Sequence, residues 1–257
     1  MKELAPIVLP LILLVAYCNG LQSPSLVEPS DSVPSGPAEC FFIVNDEQVE
    51  SLMVTKEEVD LTVVALGSCE VTILAVGGGG LGLFQGGGSG YLHYRKKNVN
   101  PFSGITSLNA KAGSYAEGSW VTYNGSIALV QANPGQEGDW DNFGGDGYSG
   151  GGQCDGYCRG GSDGGSDGSD GEGSRGGSGT GEDISEYVFT AWTLTPGAGG
   201  IHYDDGCYGG GGGGVMVDGA GPDTDQYTGQ GFGGGGSGRG TNGLEGLVLL
   251  EISPTQN

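Results

Sequence analysis

Positive charge is what this sequence has least of: 9 lysines and arginines stand against 31 aspartates and glutamates, a formal net charge of −22. The longest basic run is Arg95-Lys96-Lys97. A surface this acidic repels phosphate, which excludes nucleic acid and anionic membranes as default partners. Histidine is nearly as scarce, with only His93 and His202 to serve triad chemistry. The chain has no Gly-Lys-Ser/Thr phosphate loop. Long apolar runs are missing as well. Residues 7–16 are the longest, about half the ~20 residues that a membrane span needs. They follow Lys2 and precede Cys18-Asn19-Gly20, whose small residues suit a cut before Leu21, so residues 1–20 are expected to be a secretory signal peptide. The expected protein is extracellular, with no stable membrane anchor.

Proline is sparse beside glycine, 11 against 58 in 257 residues, and the glycines do not recur at every third position, which excludes collagen. What they do instead is cluster. Residues 209–214 are six consecutive glycines, and shorter tracts stand at 77–80, 86–88, 150–152 and 233–236. Glycine has no side chain to bury, and ordering its backbone costs ~1–2 kcal/mol per residue. Such tracts are therefore either disordered or packed backbone against backbone. In the polyproline-II conformation six glycines span ~19 Å, about one strand length, and can hydrogen-bond laterally at a net ~0.5–1.5 kcal/mol per bond. Every tract sits near a strand candidate, which favours packing on a scaffold.

The strand candidates are short. Phe41-Phe42-Ile43-Val44, residues 61–66 and residues 71–76 are apolar or β-branched runs bounded by turn signals. Residues 91–95 are a further candidate, and Thr106, Leu108, Ala110 and Ala112 alternate with polar residues as on a half-buried strand. Asn124-Gly125 between two strand-like runs predicts a type I′ hairpin. Asn124-Gly125-Ser126 is also an N-glycosylation sequon. Later strands are expected at 187–194, 215–217 and 247–252, the last pairing with an early strand. Residues 21–38, with four prolines and several serines, read as an extended linker.

Residues 139–186 carry eleven acidic residues against two arginines and include a low-complexity run, so this stretch is expected to be an insertion without a core of its own. Asp163, Asp167, Asp170 and Glu172 supply the hard oxygen ligands of a weak calcium candidate, although their spacing matches no EF-hand or β-roll repeat. Otherwise no cofactor is expected.

Past the signal stand five cysteines: Cys40, Cys69, Cys154, Cys158 and Cys207. An exported chain favours disulfides. Cys40 with Cys69 and Cys154 with Cys158 are the candidate pairs, and pairing of Cys207 with either Cys154 or Cys158 stays open. An odd thiol allows a dimer through one cysteine. Ser149, Ser162 and Ser166 each sit in a G-x-S-x-G frame, yet such frames arise by chance in glycine-rich sequence and lack the strand-to-helix context of a nucleophile elbow. No enzyme is expected.

Val71-Thr72-Ile73-Leu74-Ala75-Val76 followed by four glycines, then Gly86-Gly87-Gly88-Ser89-Gly90-Tyr91 and a polar strand leading to Ala112-Gly113, resembles the glycine-rich extracellular domain of the anaplastic lymphoma kinase and leukocyte tyrosine kinase receptors. The glycine blocks at 209–217 and 231–238 are similar to that domain's later runs, and the likeness covers residues 60–252. It implies a β-sandwich with packed polyglycine helices that binds small protein ligands. The chain departs from the receptors in carrying no transmembrane helix and no kinase, and no ligand-contacting residue transfers by position. The expected fold is thus mainly β: a sandwich or jelly-roll core over residues 39–253, glycine tracts packed as polyglycine-II helices, and few or no α-helices beyond the signal. The expected function is a recognition or adhesion module for an extracellular protein or glycan. The competing expectation is an acidic matrix component associated with calcium or mineral.

Overall fold

The computed structural model describes residues 39–140, 143–153, 180–201 and 208–255, all within one compact unit, Gly36–Asn257. The described chain is mainly β, as expected, with every strand pair antiparallel. One six-stranded sheet has the order β2-β1-β4-β7-β8-β9, built from β1 (Cys40–Val44), β2 (Glu47–Val49), β4 (Glu58–Ala65), β7 (Ser107–Lys111), β8 (Ser119–Tyr123) and β9 (Ile127–Ala132). A second, of four strands, has the order β3-β12-β5-β6, from β3 (Ser51–Val54), β5 (Cys69–Val76), β6 (Leu92–Val99) and β12 (Leu247–Pro254). A small hairpin joins β10 (Leu194–Pro196) to β11 (Val215–Val217).

The two larger sheets share one apolar core. Phe42, Leu61, Val63, Leu108, Ala110 and Val121 enter it from the six-stranded sheet, and Val71, Ile73, Ala75, Val248, Leu250 and Ile252 from the other. Strand periodicity then sends the alternate residues of β5 and β12 to the opposite face. There Leu74, Val76, Leu247 and Leu249 meet Tyr148, Ile184, Phe189, Val215 and Phe232. Burial on both faces is the physical reason that these two strands read as continuous apolar runs in the sequence. The register Leu247↔Val76 through Pro254↔Cys69 confirms that the last strand pairs with an early one. The Cys40–Cys69 disulfide ties β1 in one sheet to β5 in the other. At the far edge, Arg95 Nη1 on β6 donates to Leu129 O on β9 at 2.8 Å, and the Gln131 N–H donates to His93 Nδ1 at 3.2 Å. Side chains of one sheet thus cover backbone groups at the edge of the other.

A hairpin turns at Asn124-Gly125 with both residues at the expected positive φ, 48° and 81°, but Tyr123 pairs with Ile127, so the loop takes in Ser126 and has three residues, not the two of the expected type I′ connection. A two-residue turn, Asn45-Asp46 at φ 50° and 66°, links β1 to β2 and carries no glycine, which is why it does not stand out in the sequence.

One strand expectation needs correction. Residues 187–193 form no strand; only Leu194–Pro196 pairs. Their aromatic alternation serves to cover the outer face of β6. Tyr187 stacks on Tyr94 at 4.5 Å, Phe189 meets the same ring edge-on at 5.9 Å, and Trp192 meets Phe189 at 5.7 Å. Ahead of them a short 3-10 turn, Ile184–Glu186, is capped by Asp183, whose carboxylate accepts the Ser185 N–H at 2.9 Å.

Candidate functional site

The glycine tracts are ordered against one another beside the second sheet. Backbone donors of residues 85–91 turn to three neighbours in rotation. Gln85, Gly88 and Tyr91 donate to Asp139, Gln136 and Asn133; Gly86 and Ser89 to Gly152 and Ser149; Gly87 and Gly90 to Gly236 and Gly233. A β-strand addresses two neighbours at most, whereas this rotation has a period of three residues. The run 209–214 is wholly buried. It donates to segments 84–87 and 227–230 and accepts from 149–152, 197–200 and 235–238. A Cβ added at Gly211 would lie 1.8 Å from the carbonyl oxygen of Gly235, and one at Gly79 2.0 Å from that of Gly234. No residue but glycine permits this approach.

Serine is the other small residue inside the block. Ser149 is buried, and its hydroxyl donates to Gly213 O while the Ser149 N–H donates to Ser89 Oγ at 2.8 Å. Its G-x-S-x-G frame therefore encloses a structural hydroxyl with no access for substrate. Ser162, Ser166 and His202 lie outside the described residues. So do Cys154, Cys158 and Cys207, and the calcium candidates Asp163, Asp167, Asp170 and Glu172. Among the described residues no group of three or more His, Cys, Asp or Glu side chains could hold a metal ion.

The flanks of the acidic segment do belong to the fold. Tyr148 and Ile184 are buried in the second core, and the Thr180 N–H donates to Tyr148 O at 3.3 Å, closing the base of the segment. The Tyr148 hydroxyl is buried with no hydrogen-bond partner. Burial, with Glu182 and Asp183 nearby, pushes its pKa up to about 12. Glu182 is itself pushed above the usual carboxylate range by burial, with His93 pulling it back.

Two surface features stand out among the described residues. A groove of about 350 Å³ runs between the end of β3 and the hairpin, lined by Met53, Val217, Pro222 and Phe232 and bordered by the Lys56–Glu245 ion pair at 3.6 Å. The other surface is one end of the glycine block. The Phe84 ring meets Tyr208 edge-on at 5.4 Å, and the Gly209 N–H donates to Phe84 O at 3.2 Å. Next to them, Trp140 and Phe143 stand 67% and 55% exposed. The Asp139 N–H donates to Phe143 O at 3.1 Å, and the Phe143 N–H donates to Asp139 Oδ1 at 3.0 Å; residues 141 and 142 between them lie outside the described residues. The Gln85 N–H donates to Asp139 O at 3.1 Å and ties Asp139 to the block. Sequence reasoning missed this pair because the composition of 139–186 reads as solvated insertion. The available signal was two large aromatics, Trp140 and Phe143, in a segment otherwise almost free of apolar residues.

Asn124 lies exposed at its hairpin tip, where its Nδ2 donates to Gly104 O at 2.7 Å. No family model, no curated protein and no solved structure matches this chain, so the geometry alone carries a functional reading.

Proposed function

We propose that this chain is a secreted, non-catalytic recognition module that binds an extracellular protein or glycan through the glycine block, whose tracts we infer to be packed polyglycine-II helices. The donor period of three residues supports the helix reading, because polyproline-II has ~3 residues per turn. Export is supported by the Cys40–Cys69 disulfide, a bond typical of oxidising compartments. Among the described residues no helix is long and apolar enough to cross a membrane. Kinship to the glycine-rich domain of the anaplastic lymphoma kinase and leukocyte tyrosine kinase receptors belongs to the same proposal.

The observation that carries it is the exposure of Trp140 and Phe143 close to Asp139, whose carbonyl accepts the Gln85 N–H of the glycine block. Large exposed aromatics mark interaction sites, since the scaffold itself gains nothing from leaving them in water. Circular dichroism melts of the secreted protein at several concentrations, with and without calcium, test the reading. A sharp transition independent of concentration and calcium supports the module. A featureless melt, or one that needs calcium or high concentration, overturns it in favour of an acidic matrix component.

A further inference from the structure

We propose that Asn124 is the acceptor of an N-linked glycan, an inference that rests on the export part of the recognition-module reading. The sequence holds a single Asn-x-Ser/Thr triplet with x other than proline, Asn124-Gly125-Ser126, and the fold makes these three residues the whole loop between β8 and β9. All three are exposed. The turn accounts for two of them. Asn124 and Gly125 stand at positive φ, which asparagine and glycine tolerate best. Ser126 is different. Its N–H donates to Tyr123 O at 3.4 Å, a bond that any residue but proline can make, and its hydroxyl has no partner among the described residues. A hydroxyl two residues after the asparagine is what N-glycosylation requires, whereas no contact within the described fold calls for it.

The acceptor side chain suits the product as well as the reaction. Asn124 Nδ2 carries two hydrogens and donates one to Gly104 O at 2.7 Å. In the transfer, Nδ2 attacks the anomeric carbon of the first sugar of a lipid-diphosphate-linked oligosaccharide. The new C–N bond forms as the C–O bond to the diphosphate breaks, the lipid diphosphate leaves, and Nδ2 gives one proton to a base of the transferring enzyme. One N–H stays on Nδ2, so the folded protein can keep the bond to Gly104 and carry the glycan at once. Space permits it: a Cβ added at Gly104 or at Gly125 would meet no atom within 4 Å. The glycan thus leaves the end of the six-stranded sheet into solvent, clear of the buried glycine block.

The test secretes the full chain from a cultured eukaryotic cell line and treats the native protein with peptide N-glycosidase in heavy-oxygen water. The expected result is a mass drop equal to one oligosaccharide, with Asn124 converted to a labelled aspartate in the peptide map. Ser126→Ala keeps both positive-φ residues of the turn and should lose the mass step completely, while Ser126→Thr should retain it. A secreted parent whose mass the enzyme does not change overturns the proposal and leaves export standing. A Ser126→Ala variant that keeps its glycan overturns the assignment to Asn124. A chain held in the cytosol without glycan removes the export reading, and this proposal with it.

Discussion

The Glu251 carboxylate on β12 accepts the backbone N–H of Thr190 at 2.8 Å, and the same oxygen accepts that of Ala191 at 2.9 Å. Glu251 is only 9% exposed, so an acidic residue in the central apolar strand has its reason in a distant segment. Together with the rings of Tyr187, Phe189 and Trp192, it pins residues 187–193 over the second sheet. Hydrogen bonds to a charged group are each worth ~1.5–3 kcal/mol. Glu251→Leu leaves two N–H groups without this acceptor and is expected to lose ~2–4 kcal/mol in urea unfolding. It should also open 187–193 to limited proteolysis before global unfolding. A variant as stable and as resistant as the parent would show that the aromatic rings hold the segment alone.

Cys40→Ala/Cys69→Ala removes the one covalent link between the two sheets among the described residues. With a sequence separation of 29, the chain-entropy relation gives a loss of ~3–4 kcal/mol. Chemical denaturation should show the lower midpoint in the variant. Thiol reductant should lower the parent's midpoint by more than it lowers the variant's, because the variant lacks this bond.

Two glycine replacements separate packing from backbone conformation. Gly211→Ala drives a methyl group to 1.8 Å from the Gly235 carbonyl oxygen inside the block, and the neighbour is backbone that cannot swing away. The expected loss lies at or above the upper end of the ~1–3 kcal/mol typical of overpacking, or the variant fails to be secreted. Gly125→Ala meets open space at φ +81° and should lose only the ~1–2 kcal/mol of a left-handed alanine. Equal losses at the two positions in denaturant titrations would refute a close-packed block.

Tyr148 ties stability to alkaline pH. Its folded pKa of about 12 lies above the ~10 of an unfolded tyrosine, so between these values the folded state holds a proton that the unfolded state releases. Stability is fully present below pH ~10 and falls as pH rises toward 12, by ~2–3 kcal/mol at most. Tyr148→Phe abolishes that component of the slope. Because the variant also removes a buried hydroxyl without a partner, it should be more stable than the parent by ~1–2 kcal/mol below pH 10. Melts from pH 8 to 12 on both proteins measure both effects.

Much of the scaffold was legible in the sequence because its causes are local. The continuous aliphatic runs of β5 and β12 announce strands buried on both faces, Asn124-Gly125 announces its turn, and six consecutive glycines leave backbone packing as the one ordered use of such a run. The oxidised pair Cys40 and Cys69 was among the pairings that the cysteine positions allow. Other features depend on partners far along the chain. Whether 187–193 forms a strand or an aromatic cover is decided by Tyr94 and Glu251, which lie on β6 and β12. The short β2 and β3 are strands because β1 and β12 supply their hydrogen-bond partners.

The sequence by itself determined that the chain is acidic, glycine-laden and built of strands, since charge, missing side chains and β-branching are properties of single residues and their neighbours. Only the tertiary structure decided that Ser149 is sealed beneath Gly213 while Trp140 and Phe143 stand in water. Burial is a relation between segments, and in the glycine block it is set by backbone carbonyls at each glycine's missing Cβ, a fit that one segment cannot specify alone.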